Sequence, residues 1–446
     1  MSEGDSIISD LQFRLAFGSQ NSQKLWGDCP VLKEAVTTGQ KPVVALYGNG
    51  TIDLAGFFGK DPARAFCAGS FPLIIDTTSS PHSVCSIRAA ATYAEHLGVK
   101  KHVMLVTSDG PLMSYLMGQQ ELGPLMRPWM NLWNPILQRA SSFAKHNNLN
   151  QPREEYHLAA LTILSRNARN LGRVVGMNNV TLCYLDKEKS LLEVYKNGDL
   201  EDMLRHGRQG HTTELDLFKG TPKALACSCC DSRAGHGHLY CAQPGEFLDS
   251  NTIAAIIPQL QHVIQHNIPH PVWALAEYAR NTGIHEAVVT GHSHCGGIHA
   301  LVDWKAGGEP PNQYLQAWLG QASDVIAAVF QFAERNQFFR DSEGNIHPDV
   351  YKLAELCVTQ WSAKNLGEHF GEKNVLAHYL DIETREVYVL NPRNDIEETY
   401  KQMKSMKKLS DLIIRAPANS NLWTPEKSKR PRTANTAWQL VTAKAA

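Results

Sequence analysis

The chain repeats itself, and that repeat constrains its fold more than any other feature. Ala91-Thr92-Tyr93-Ala94, followed by Gly98-Val99, returns 185 positions later as Ala276-Glu277-Tyr278-Ala279, followed by Gly283-Ile284. Ala168-Arg169-Asn170-Leu171-Gly172 returns at 195 as Ala363-Lys364-Asn365-Leu366-Gly367. At that same offset Asn179-Val180 and Tyr184-Leu185-Asp186 return as Asn374-Val375 and Tyr379-Leu380-Asp381, while Pro42 meets Pro222 at 180. Chance matches would not stay in order while the offset grows one way. A duplicated domain with small insertions does both. The 446 residues divide accordingly into an arm (1–26), a first repeat (27–200), a second repeat (201–393) and a basic helix and tail (394–446).

Both copies trace one coarse path. A short apolar run (Pro42–Tyr47; Lys223–Cys227) predicts a buried strand, and an amphipathic helix centred on Tyr93 or Tyr278 follows. A second buried strand comes next (Val103–Thr107; Ala287–Thr290). After further helix, each copy closes with a hairpin-like pair, Val180–Asp186 with Leu191–Tyr195 and Val375–Asp381 with Glu386–Leu390. Strands alternating with helices predict an α/β fold, a mostly parallel sheet with an antiparallel edge.

Composition narrows the function. Lys+Arg 43 against Asp+Glu 44 leaves a net charge of −1, too little field to hold nucleic acid. No apolar run approaches the roughly 20 residues of a membrane span. The acidic start MSEGDSIISD lacks a secretory pattern, which predicts a cytoplasmic or other reducing, non-secreted compartment. Of ten cysteines, Cys227, Cys229, Cys230 and Cys241 fall within fifteen positions, the pattern of metal or redox chemistry. Cys29, Cys67, Cys85, Cys183 and Cys357 suit a role as small buried hydrophobes. The tail carries Lys401, Lys404, Lys407 and Lys408 and then Lys427–Arg432; it reads as a solvated basic end, with an acidic partner as the alternative.

In the second repeat the first strand runs into Cys229-Cys230-Asp231-Ser232-Arg233, and the next into Gly291-His292-Ser293-His294-Cys295-Gly296-Gly297. Both clusters fall at strand C-terminal ends, where open α/β sheets place their sites. Cys229, His292 and Cys295 offer three zinc ligands, with Asp231 or water as the fourth.

These residues resemble the β-class carbonic anhydrases, as do Gln243-Pro244-Gly245-Glu246 and the closing Tyr379-Leu380-Asp381-Ile382-Glu383-Thr384 stretch. The resemblance covers about 205–392 directly and 27–200 through the repeat. It implies one zinc held by Cys229, His292 and Cys295, with Arg233 drawing Asp231 off the metal. Hydroxide on the zinc would then hydrate carbon dioxide to bicarbonate and a proton. One stretch departs from the family: Phe247-Leu248-Asp249-Ser250-Asn251-Thr252 replaces an Arg-Asn segment, and Gln259–Pro271, with His262, His266 and His270, runs long.

The first repeat lacks the ligands. Asn49 falls where Cys229 should be, Thr51 at Asp231, Asp53 at Arg233, Ser108 or Thr107 at His292, and Pro111 or Gly110 at Cys295. In the family a partner subunit lends a Gln, a Phe and a Tyr to each site. Here Gln40 lies nine residues before Asn49, whereas Gly220 holds that place before Cys229. The resemblance therefore implies an intramolecular pseudo-dimer in which Gln40, Phe71 and Tyr93 complete the zinc site, Gly296 and Gly297 lining it. Homo-oligomers of such pseudo-dimers fit the same scheme. His236, His238 and His294 are candidate proton shuttles that otherwise read as surface residues. Rival readings are a carbonyl sulfide or carbon disulfide hydrolase and a non-catalytic zinc scaffold or sensor of inorganic carbon.

Overall fold

The computed structural model describes residues 42–50, 52, 54, 65–69, 86–108, 123–146, 152–187, 191–195, 221–240, 242, 245–384 and 386–406. They form two five-stranded sheets of one design. The first holds β1 (Val44–Gly48), β2 (Ala65–Gly69), β3 (His102–Thr107), β4 (Val180–Asp186) and β5 (Leu191–Tyr195), in the order β2-β1-β3-β4-β5. The second holds β6 (Ala224–Cys229), β7 (Phe247–Thr252), β8 (Ala287–His292), β9 (Val375–Leu380) and β10 (Val387–Leu390), in the order β7-β6-β8-β9-β10. Four strands of each run parallel, and the fifth pairs antiparallel at the edge (β4 with β5, β9 with β10). The predicted closing hairpins are these edges. The sequence reading passed over β2 and β7, because AFCAG and FLDSNT lack the β-branched apolar run that marks a buried parallel strand.

The helices repeat as well: α1 (Ser86–His96), α2 (Arg127–His146) and α3 (Pro152–Val175) come from the first half. The second half contributes α4 (His236–Leu239), α5 (Leu260–Gln265), α6 (Pro271–Asn281), α7 (Gly296–Lys305), α8 (Gln313–Leu319), α9 (Ser323–Arg335), α10 (Pro348–Phe370) and α11 (Ile396–Lys404). The long helices α3 and α10 stop at equivalent glycines, Gly176 and Gly371, with φ of 85° and 87°. A side chain is strained in that left-handed region, so glycine ends the helix cheaply and turns the chain into β4 or β9. Lys401 and Lys404 end α11; Lys407, Lys408 and Lys427–Arg432 lie outside the described residues.

One apolar core threads both halves. Ala45, Tyr47 and Phe66 join Leu225, Cys227, Cys229 and Leu248 in it. The alternate residues of the same strands face outward into two smaller clusters, one per sheet, as the period-2 pleat requires. Cys67 and Cys183 are buried there as small hydrophobes, while Cys357 is half-buried; Cys29 and Cys85 are outside the described residues.

The sheets meet along edge strands β2 and β7, and the contacts come in equivalent pairs. The Cys67 N–H donates to the Cys230 carbonyl (2.9 Å), and the Asp249 N–H donates to the Gly50 carbonyl (2.8 Å). By strand register Cys67 and Asp249 occupy the same place, as do Gly50 and Cys230. This is the self-complementary pattern of a two-fold interface inside one chain. It is reinforced by Glu277, whose carboxylate accepts the Met126 N–H (2.9 Å) at the start of α2. A helix N-terminus presents unpaired N–H groups, which a carboxylate satisfies well.

Candidate metal centre

Cys229 ends β6 and His292 ends the neighbouring β8, so the parallel register brings the two clusters together at one end of the sheet. Cys295 caps the start of α7 just beyond. The three ligand atoms lie within 4.8 Å of one another, all buried, and the two sulfurs are 3.8 Å apart. The His292 Nδ1 is bonded to the Ser293 carbonyl (2.9 Å), while its buried Nε2 makes no hydrogen bond. An orphaned imidazole nitrogen facing two thiols is the arrangement a zinc ion completes, so the residues fit that metal. The Cys295 hydrogen bond, aided by His292 against the cost of burial, holds the Cys229 thiol well below its usual range. Burial lowers the His292 pKa, but the Cys229 thiolate outweighs it and carries the imidazole up to about 9.

Asp231 and Arg233 form the expected dyad. Arg233 donates Nε to both carboxylate oxygens (2.9 and 3.0 Å), Nη2 to Oδ2 (2.5 Å) and its backbone N–H to Oδ1 (3.0 Å). Burial alone would raise the Asp231 pKa; the guanidinium and His292 prevail and hold it below the ordinary carboxylate value.

The first repeat reaches this site. The Tyr93 hydroxyl stands 2.2 Å from where a Cβ on Gly296 would lie, so only glycine admits it. Burial, then the Cys295 and Cys229 thiols, push the Tyr93 phenol far above its usual pKa, and it stays protonated. A Cβ on Gly297 would meet Ile253 at 2.7 Å. Gln40 and Phe71, like Thr51, Asp53, Gly110, Pro111 and Gly220, lie outside the described residues.

In the first sheet the β1–β3 register puts Asn49 in the place of Cys229 and Thr107, rather than Ser108, in the place of His292. There the Asn49 Nδ2 donates to the Thr107 Oγ1 (3.0 Å), a neutral amide–hydroxyl pair where the second sheet has thiol and imidazole.

Other outcomes correct the sequence reading. His236, expected at the surface as a shuttle, is fully buried with its Nδ1 3.0 Å from Asp249 Oδ1. The unusual β7 residues thus have work: Asp249 holds His236, and Asn251 donates to Ser228 Oγ (2.8 Å). His294 is exposed and bonded to Glu383 (2.9 Å), and nothing is described of the His238 side chain. In the long segment, His262 and His266 are exposed while buried His270 stacks on Trp318.

Several contributors went unnoticed in the sequence. The Ala254 N–H donates to the Cys229 sulfur (3.3 Å) from a turn whose Ala254 and Ala255 carry φ of 60° and 51°. Each such residue costs about 1–3 kcal/mol, and the Trp318 Nε1 bond to the Ile253 carbonyl (2.9 Å) helps hold the turn. Glu355 and Thr359 of α10 line the same cavity. Alanines and a distant helix carry no motif, so spacing alone could not have found them.

Among the described residues, the geometry defines an α/β protein with one buried Cys-His-Cys centre beside an Asp–Arg pair. The carbonic anhydrase family model matches residues 224–387. The chain is 28% identical over 212 residues to beta carbonic anhydrase 6, mitochondrial, of Arabidopsis thaliana, covering 39% of this chain and 71% of that one. It is 27% identical over 200 residues to a carbonic anhydrase of Pseudomonas aeruginosa, covering 43% and 86%. Among solved structures, the Aspergillus fumigatus β-carbonic anhydrase CafA matches 46% of this chain and 89% of its own at 19% identity, with a TM-score of 0.30. Over residues 224–387 the chain is thus similar to the carbonic anhydrases, and the named relative from Arabidopsis is of the β class.

Proposed function

We propose that the protein hydrates carbon dioxide reversibly at a single zinc site in the second repeat, with the first repeat acting as its built-in partner. The observation that carries this reading is the intact Asp231–Arg233 pair beside the orphaned His292 Nε2. A closed structural zinc site has four protein ligands and no use for such a pair. Cys229, His292 and Cys295 would hold the ion, which when bound supplies Lewis acidity that brings a water to a pKa of about 7. Asp231 stays ionised at neutral pH and accepts a hydrogen bond from the attacking water, aiming its lone pair. Arg233 keeps that carboxylate turned toward itself, and the protonated Tyr93 stands against Gly296 beside the ligands; the resemblance adds Gln40 and Phe71 to the residues lent by the first repeat.

On this reading the first repeat (27–200) is degenerate and binds no zinc, and further pairing of whole chains is open to it. The test compares carbon dioxide hydration with carbonyl sulfide and carbon disulfide hydrolysis on zinc-loaded protein. Fast hydration that falls in Gln40→Ala while zinc stays bound is expected. Turnover confined to the sulfur substrates, or none with zinc bound, would overturn it.

A further inference from the structure

Between the last two ligands the chain makes a strained turn. His294 adopts φ of 55°, unusual for a residue with a side chain, and Cys295 follows as the cap of α7 without a side-chain cap of its own. Two devices hold this turn. On one side Ser293 is tied to β9, donating its N–H to the Leu380 carbonyl (2.9 Å) and accepting the Ile382 N–H at Oγ (2.8 Å). On the other stands Glu355, projecting from α10 and only 3% exposed. Its Oε1 accepts the Cys295 N–H (2.9 Å) and is bonded to His299 Nε2 (3.2 Å), while Oε2 accepts the Tyr379 hydroxyl (2.6 Å). One helical turn further, Thr359 packs its Oγ1 1.9 Å from where a Cβ on Gly291 would lie, directly before His292. One face of α10 therefore presses on both ends of the His292–Cys295 turn.

The first repeat supplies the control. The offset of 195 that pairs Ala363 with Ala168 puts Ala160 at Glu355 and Leu164 at Thr359, both buried on α3, and the offset of 185 that relates β3 to β8 puts Val106 at Gly291. The fold therefore closes without a carboxylate at this position. Burying one is costly unless its oxygens are well bonded, and the donors here meet that need.

We propose that Glu355 is a positioning residue of the metal centre, fixing the Cys295 backbone so that its sulfur is held ready for zinc. The role rests on the zinc reading above. Both Glu355 oxygens are engaged by the Cys295 N–H, His299 and the Tyr379 hydroxyl, so it acts through the ligand's own N–H, as outer groups around metal sites do.

Zinc affinity, measured on the full chain by competition with a chelator, separates this from a general structural role. Glu355→Ala removes the acceptor, Glu355→Asp keeps the charge but falls short by one methylene, and Glu355→Gln keeps an acceptor oxygen at the same reach. Expected are affinities about 10–100-fold weaker for Ala and Asp, and Gln within about threefold of wild type. The cobalt-substituted protein should show perturbed thiolate-to-metal absorption in Asp and a wild-type band in Gln. If the Ala variant does not fold, the Asp–Gln contrast decides. Wild-type affinity in Asp, or Gln as weak as Asp, would overturn the proposal while leaving the zinc site standing. A wild-type chain that binds no zinc would remove the zinc site itself, and the proposal with it.

Discussion

The outer faces of the two sheets occupy equivalent places and have opposite chemistry. In the first sheet Leu46, Cys67, Leu105 and Cys183 close the face, with Leu54 packed 2.7 Å from where a Cβ on Gly48 would lie. In the second sheet the same register positions hold Ala226, Asp249, Thr290 and His378, and Ser228 replaces Gly48. There His236 pairs with Asp249, and the Tyr240 hydroxyl is 2.9 Å from His378 Nδ1. Both faces are buried and both sheets keep one strand order, so the topology demands only that the face be filled. At these register positions the polar residues that accompany the metal ligands in the second sheet have apolar counterparts in the first. Architecture in this chain follows from apolar patterning, and chemistry from a handful of positions that a duplicated copy can lose without unfolding.

The largest effect should come from rewriting the second repeat in the residues of the first. Cys229→Asn with His292→Thr is expected to abolish zinc binding by metal analysis while far-ultraviolet circular dichroism stays unchanged, because Asn49 and Thr107 already occupy the same fold. An unfolded double variant would break the comparison. Next comes Asp231→Asn, which should lower turnover by about 10²–10⁴-fold with zinc content retained; full activity would mean that the dyad is only a structural salt bridge.

A third effect is on stability against pH. Burial, with His236 nearby, lowers the His378 pKa from 6.5 to about 3. The unfolded chain takes up that proton near pH 6.5 and the folded chain only near 3. Stability is therefore full above pH 6.5 and drains away as the pH falls toward 3, by about 2 kcal/mol at pH 5. His378→Cys, the residue of the first sheet, should narrow the melting-temperature gap between pH 7 and pH 5; an unchanged gap would remove His378 from the account. The smallest effect separates the two tyrosines. Tyr93→Phe should lower kcat/KM about tenfold, or roughly 1.4 kcal/mol, and Tyr278→Phe should leave it unchanged. Equal losses would point to packing rather than to a lent hydroxyl.

Much of this was readable in the sequence, for identifiable reasons. The duplication survived in Tyr93 and Tyr278, and the edge hairpins in unbroken apolar alternation such as Val180–Asp186. The ligands and dyad stood out because Cys229, Asp231, Arg233, His292 and Cys295 are rare residue types at tight spacing. β7 stayed hidden because Asp249 and Asn251 look like loop residues until a neighbouring histidine and serine bond them. His236 was misplaced at the surface because nothing local shows that Asp249, thirteen residues away, buries it. Glu355 stayed hidden because its contact to Cys295 spans 60 residues and goes to a backbone N–H.

The most direct test of the central claim, one working site in two copies of a fold, is a zinc titration. Metal-free full-length chain would be titrated with zinc while carbon dioxide hydration is followed by stopped flow. Activity is expected to rise linearly and stop at one zinc per chain. Activity that climbs to a second equivalent, or none at any ratio, would contradict it.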